Sequence, residues 1–155
     1  MLHLIPAPVQ RALMPLAHRV RKVWVRMARR DIYGVAVMAF DARDRLLLVR
    51  HSYGTRAWSM PAGGMGHGED PSHAIRREMR EELDVTLDDL QLVSQRVETI
   101  HGVSHHVWLY TARVNDPPQP DMREVIEARF FTIDELPEAL EKRVRPRLAL
   151  MAALE

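Results

Sequence analysis

Residues 63–85 read GGMGHGEDPSHAIRREMREELDV, and this stretch decides the fold. Gly63, Gly64, Gly66 and Gly68 crowd into six residues and mark a loop, because glycine alone takes positive backbone dihedrals freely. A helix must follow. Asp70 is a good N-cap and Pro71 a good first helical residue. Ala74, Ile75, Met79 and Leu83 then recur at three- and four-residue steps as an apolar face. Glu78, Glu81 and Glu82 share another face at i, i+3 and i+4. Three like charges there repel unless something positive intervenes, and Arg77 and Arg80 are near enough to help. Taken alone, such a run is most often a solvated acidic face. Joined to a glycine loop, through which backbone groups approach a ligand closely, it reads as a metal–phosphate site: hard oxygen donors suit magnesium, which takes a few carboxylates plus substrate phosphates. It is not a P-loop, since no Gly-Lys-Ser or Gly-Lys-Thr follows the glycines.

Working outward, Tyr33 to Phe40 is an apolar run suited to a buried strand, and Asp41–Asp44 a turn into a second strand, Leu46 to Val49. A short strand at Trp58 to Met60 leads into a loop from Pro61. Beyond the helix, Leu90 to Ile100 and His106 to Val114 are strand-like, joined across Gly102-Val103-Ser104. Pro117, Pro118 and Pro120 mark an exposed loop, and Ala128 to Ile133 is a last strand. Asp134-Glu135-Leu136-Pro137 opens a C-terminal helical region that Pro146 is expected to break in two. Hairpins mixed with helices predict a mixed sheet.

The chain has 155 residues, 46% of them hydrophobic and 28% charged, enough for one domain with a real core. Cysteine is absent, which excludes disulfides, thiolate metal sites and a cysteine nucleophile. The net charge of +1 gives no argument for a nucleic-acid partner. The charge is uneven, however. Residues 1–30 carry seven arginines and lysines and no acid, so a +7 leader precedes a −6 body. The leader reads as an amphipathic helix with Leu13, Leu16, Val20, Val23, Trp24 and Met27 on its apolar side. The expected organisation is therefore a basic helical extension, 1–30, and a domain, 31–155. The extension is expected to pack on the body or on a partner subunit of a homodimer. Peripheral membrane contact, which basic amphipathic helices make, is the less favoured outcome. No cleaved signal or membrane span is read, and a cytoplasmic location is expected.

The segment resembles the Nudix box, G-x5-E-x7-R-E-U-x-E-E-x-G-U, with U a bulky aliphatic residue. Gly63 and Glu69 supply the first two fixed positions, Arg77 and Glu78 the next two, Met79 the first U, Glu81 and Glu82 the glutamate pair, and Val85 the last U. Asp84 stands where the family has glycine, and Ala62 where it often has another. Aspartate visits the left-handed conformation more readily than most residues, so Asp84 is expected to trim stability rather than remove the site. Leu46–Arg50, Trp58–Pro61 and Arg129–Pro137 resemble the family's flanking segments, so the likeness covers about residues 32–140.

The resemblance implies an α+β Nudix fold, an α/β/α sandwich around a mixed sheet. It implies a magnesium-dependent hydrolase, with manganese as an alternative ion, that cuts a diphosphate linkage in a nucleotide-type small molecule. Glu78 and Glu82 become the expected metal ligands, with Glu81 as ligand or base and the Gly63 carbonyl joining them. Arg77 is expected to hold the glutamates and Glu69 to brace loop and helix. Glu124 is the preferred general base on the loop before the last strand, where Glu127 also falls. Arg50 could touch a phosphate. His101, His105 and His106 cluster near a turn, where a zinc site is conceivable but turn histidines are commoner. Trp108 and Tyr110 could stack on a base, though core packing is the more frequent use. Two rival readings remain: a diphosphate isomerase on this fold, which would want a cysteine, and a non-catalytic nucleotide-binding module, which would usually lack box glutamates.

Overall fold

A computed structural model of the chain describes residues 31–100 and 103–152. The leader, residues 1–30, together with His101 and Gly102, lies outside the described residues. Six strands form one mixed sheet: β1 (Ile32–Phe40), β2 (Leu46–His51), β3 (Ala62–Gly64), β4 (Asp88–Ile100), β5 (Val103–Arg113) and β6 (Val125–Phe131). The order is β4-β5-β1-β2-β6, with β3 added on β1. β1 runs parallel to β5 along its whole length. Its other edge is shared. β2 meets it at Phe40↔Leu46, and β3 meets it at Gly34↔Gly64, Val35↔Gly63 and Ala36↔Ala62. β2 continues outward to β6, with a register shift between Arg50 and His51.

Alternation along β1 divides the core into two layers. Val35, Val37 and Ala39 face helix α1 (Pro71–Leu83) and bury Ile75, Met79 and Leu83 beneath it. Ala36, Met38 and Phe40 face helix α2 (Val144–Ala152), whose Val144 and Leu148 close the second layer. The expected α/β/α sandwich is thus the observed one. Leu83 is fully buried, so Leu83→Ala removes about 2–5 kcal/mol of stability.

Both ends of α1 follow from sequence. The Asp70 side chain accepts hydrogen bonds from the Ser72 and His73 backbone N–H groups, and Pro71 opens the helix. At the other end Asp84 takes φ 54°, ψ 39°, and its N–H donates to the Arg80 carbonyl. Aspartate therefore fills the left-handed position that glycine would fill more cheaply.

Boundaries differ from expectation: β5 begins at Val103, inside the expected turn, β6 spans Val125–Phe131 rather than Ala128–Ile133, and three other segments depart for identifiable reasons. Ala62–Gly64 is a strand, not loop: these residues have little strand preference, but β1 leaves its edge open there and they take it. Trp58 and Ser59 make only isolated bridges, to Leu140 and Val49. Pro146 does not break a helix. It sits in the first turn of α2, where its missing N–H costs nothing, and the interruption falls earlier, between a 3-10 turn at Ile133–Glu135 and Val144. Among the described residues no helix is long and apolar enough to cross a membrane.

Candidate active site

Gly63 brings the carboxylate helix against the sheet. A Cβ at this position would lie 2.2 Å from both Cγ and Cδ of Glu78. Only a glycine on β3 leaves room for that side chain, so the pairing of Gly63 with Glu78 is steric as well as sequential. Glu78 is 14% exposed. Its neighbour one turn on, Glu82, shares a side-chain hydrogen bond with it.

Burial raises the pKa of both carboxyls above the ordinary carboxylate range. For Glu82 the negative charges of Glu78, Glu124 and Asp121 push the same way. Two half-buried acids in contact are unfavourable unless a proton or a cation sits between them.

Arg77 ties this pair to the glycine loop. Its Nε and Nη2 donate to the two carboxylate oxygens of Glu69 at 2.8 and 3.0 Å. Nη1 donates to Glu78 at 2.9 Å and to Glu81 at 3.3 Å, and Nη2 also reaches the Gly64 carbonyl at 3.0 Å. Glu69 in turn accepts from the Gly66 N–H at 2.7 Å. The Arg77 hydrogen bonds hold the Glu69 carboxyl down to about 2, and the same contacts raise Arg77. One guanidinium thus fixes the loop and neutralises part of the acidic face. Glu81 is drawn to its outer side and remains 61% exposed.

The loop before β6 closes the site from the helix C-terminus. Asp121 donates its N–H to the Glu82 carbonyl at 2.8 Å, and its Oδ1 accepts from the N–H groups of Arg123, Glu124 and Val125. Ser52, buried at the end of β2, donates its N–H to the Glu124 carbonyl and its Oγ to the Arg123 carbonyl. Glu124 is therefore pinned between α1 and β2, close enough for its charge to act on Glu82. Asp121 joins this candidate site by its contacts, and sequence reading missed it. The available signal was an acid just after the Pro117–Pro120 loop and four residues before a strand, the pattern of a side chain that caps its own turn.

Other candidates are placed elsewhere. Glu127 lies on β6 rather than in the loop, and pairs with Arg50 at 3.4 Å. Arg50 sits over the Trp58 ring at 4.9 Å, in the α2 layer, apart from the carboxylate group. His105 and His106 point to opposite faces of β5. His106 stacks on Tyr33 at 4.7 Å and meets Asp31 at 3.3 Å, whereas His105 lines a cleft. With His101 outside the described residues, nothing draws the three into one ligand set. Tyr110 is buried in the α1 layer, and Trp108 packs against that layer and stacks on Tyr33 at 6.2 Å. Among the described residues no three His, Asp or Glu side chains form a ready-made metal cage. The carboxylate site is a half-buried pair with Glu81 and Glu124 at its margins.

The cleft, about 320 Å³, begins at Gly63 and Gly34 and runs between the β2–β3 connection and the start of α2. Polar groups on its walls include His51, Arg56, His105 and Arg143.

Comparison with known proteins agrees with this geometry. The NUDIX domain model matches residues 31–153. An RNA pyrophosphohydrolase of Rhodospirillum rubrum is 44% identical over 50 residues, 32% of this chain and 30% of that protein. One from Saccharophagus degradans is 36% identical over 59 residues, 38% of this chain and 35% of that protein. The matched part spans about a third of the length of these curated relatives. Among solved structures, a MutT NUDIX hydrolase from Burkholderia pseudomallei superposes with a TM-score of 0.66 at 23% identity, covering 78% of this chain and 98% of that one. An Ap4A hydrolase of C. elegans gives 0.66 at 20% identity, covering 79% and 96%. The structural likeness shows the fold, and the match of the family model across most of the chain, with the Gly63–Val85 motif folded around Arg77, makes the chain a member of the Nudix hydrolase family.

Proposed function

We propose that the chain is a divalent-metal-dependent pyrophosphohydrolase acting on a nucleotide-type substrate, a nucleoside diphosphate linked to a further group. The observation that carries this reading is the half-buried Glu78–Glu82 pair under Gly63. Burial disfavours both carboxyls as anions, Glu81 adds to this for Glu78 and Glu78 for Glu82, and a hard cation would relieve these penalties. The residues present fit magnesium, or manganese: Glu78 and Glu82 as ligands, Glu81 at the margin as ligand or base, and the Gly63 carbonyl as a further oxygen. When bound, the metal supplies charge neutralisation for the phosphates and acidifies a water.

The protein's own groups do the rest. Arg77 holds Glu78 and Glu81 toward one side of the helix, and Glu69 holds Arg77. Glu124, fixed by Asp121 and Ser52, takes the part of general base, accepting a proton from the attacking water as it meets phosphorus. The cleft beside Gly63 takes the remainder of the substrate. Arg50, bound to Glu127 and Trp58, reaches a phosphate only by leaving those partners. The leader, residues 1–30, belongs to the proposal as an extension that packs on domain 31–155 or across a homodimer. A cytoplasmic location is part of the same reading.

A non-catalytic nucleotide-binding module is the second reading. The retention of Glu69, Arg77, Glu78, Glu81 and Glu82 in one connected network favours catalysis. An isomerase remains disfavoured by the absence of cysteine. The test is hydrolysis of a panel with magnesium: nucleoside triphosphates, ADP-ribose, NADH, dinucleoside polyphosphates, nucleotide sugars and RNA carrying a 5′ polyphosphate. Metal-dependent release of phosphate or nucleotide from a panel member supports the enzyme. Tight binding of a panel member with no turnover supports the module.

A further inference from the structure

The β2–β3 connection holds a residue in a backbone conformation that its side chain disfavours. Arg56 has φ 54°, in the left-handed region where Cβ crowds the following carbonyl. Two residues earlier Gly54 uses the same region at φ 74° without penalty. A loop needing only the turn would be better served by glycine or asparagine at 56. Asp84 takes the same φ as a helix end, so it is the surroundings of the Arg56 side chain, added to its backbone, that point to a ligand.

The Arg56 side chain is exposed and lines the cleft that begins at Gly63. Two other guanidinium groups line it and are matched by acids: Arg143 by Glu141 at 3.0 Å, and Arg147 by Glu98 at 3.2 Å. Among the described residues Arg56 makes no ion pair or hydrogen bond through its side chain. It is the uncompensated guanidinium of the cleft, and Glu141, the acid on the same wall, is already engaged.

We propose that Arg56 is a specificity-determining residue: it binds an anionic group of the substrate beyond the diphosphate held at the carboxylates. The cleft then selects substrates with a third phosphate over those whose second moiety is a neutral sugar. A guanidinium suits this task, because its planar fork meets phosphate oxygens two at a time. The inference rests on the pyrophosphohydrolase reading for its catalytic consequence, but not for the binding itself.

The experiment uses the full chain and the variants Arg56→Gly and Arg56→Lys. Inorganic tripolyphosphate and pyrophosphate are titrated calorimetrically into each at low ionic strength with magnesium present, so that the carboxylate end of the site can hold a diphosphate. Arg56→Gly relaxes the backbone while removing the charge, so its Tm should rise by about 2 °C. Its tripolyphosphate affinity should nevertheless fall roughly tenfold relative to pyrophosphate, with Arg56→Lys, which keeps the charge but loses the fork, falling in between. In turnover, the ratio of kcat/KM for a nucleoside triphosphate over a nucleotide sugar should fall about tenfold in Arg56→Gly, through KM. Unchanged tripolyphosphate affinity in Arg56→Gly overturns the proposal. So does a loss of affinity that comes with a lowered Tm, which would make Arg56 merely structural. A wild type that hydrolyses no panel member defeats the enzyme reading alone, since the titration still decides Arg56.

Discussion

Gly63→Ala tests the steric pairing on which the site is built. The added methyl would sit 2.2 Å from Glu78 Cγ and Cδ and 2.6 Å from Oε1, inside any allowed contact. Either β3 shifts or Glu78 swings out of its place beside Arg77. Overpacking of this kind costs about 1–3 kcal/mol. Replacing glycine returns about 0.4–1 kcal/mol through the unfolded chain, because Gly63 is not among the positive-φ glycines. The net loss is about 1.3 kcal/mol at the midpoints, a fall in Tm of about 3–5 °C for a chain of this size. Activity should fall more, by at least ~10²-fold, since the displaced atom group is a metal ligand in the proposal. A double-mutant cycle isolates the cause. In a Glu78→Ala background the clashing atoms are gone, so Gly63→Ala should be neutral or slightly stabilising. The assay is thermal unfolding by circular dichroism on the four proteins. Equal destabilisation in both backgrounds refutes the steric account.

Other outcomes follow from the same geometry. Asp84→Gly should raise Tm by about 2–4 °C by easing the left-handed residue at φ 54°, with turnover within twofold of wild type; a large activity change would make Asp84 part of the site. Glu69 is held down to about 2 against an ordinary 4.5, so its contribution is complete above about 4.5 and is lost as pH falls toward 2. Glu69→Gln should therefore flatten the fall of Tm with pH across that window, and an unchanged acid limb would show that Arg77 does not depend on it. Deleting residues 1–29 should lower Tm or expose apolar surface. Binding of the full chain to anionic vesicles, lost on deletion with no change in melting, would instead assign the leader to a membrane surface.

The fold was legible where one residue type settles one question. The glycine loop, Asp70, Pro71 and the spacing of Ala74, Ile75, Met79 and Leu83 fixed α1, and β1 and β2 announced themselves as apolar runs. What escaped were features that exist only through a distant partner. Ala62–Gly64 is a strand because β1 offers an open edge, and Ala-Gly-Gly carries no sign of it. Asp121 matters because the Glu82 carbonyl and three following N–H groups converge on it. Arg56 looks like any loop arginine until its φ is known. The reverse also occurred: the three histidines looked clustered along the chain, but a strand sends His105 and His106 to opposite faces. Among the candidate site residues, Glu69, Arg77, Glu78 and Glu82 are brought together, Glu124 is held nearby, and Arg50 is engaged on the other layer.

The most direct test of the account is magnesium-dependent turnover of wild type and Glu82→Gln on whichever panel substrate the wild type cleaves. Glu82→Gln keeps the shape of a half-buried carboxyl whose anion burial and Glu78 already oppose, and should fold at least as well as wild type. With the charge goes the hold on the cation, so turnover should fall by at least ~10²-fold, and the rise in Tm that magnesium gives the wild type should disappear. A folded Glu82→Gln protein that turns over at the wild-type rate would contradict the claim that this carboxylate pair is the metal site.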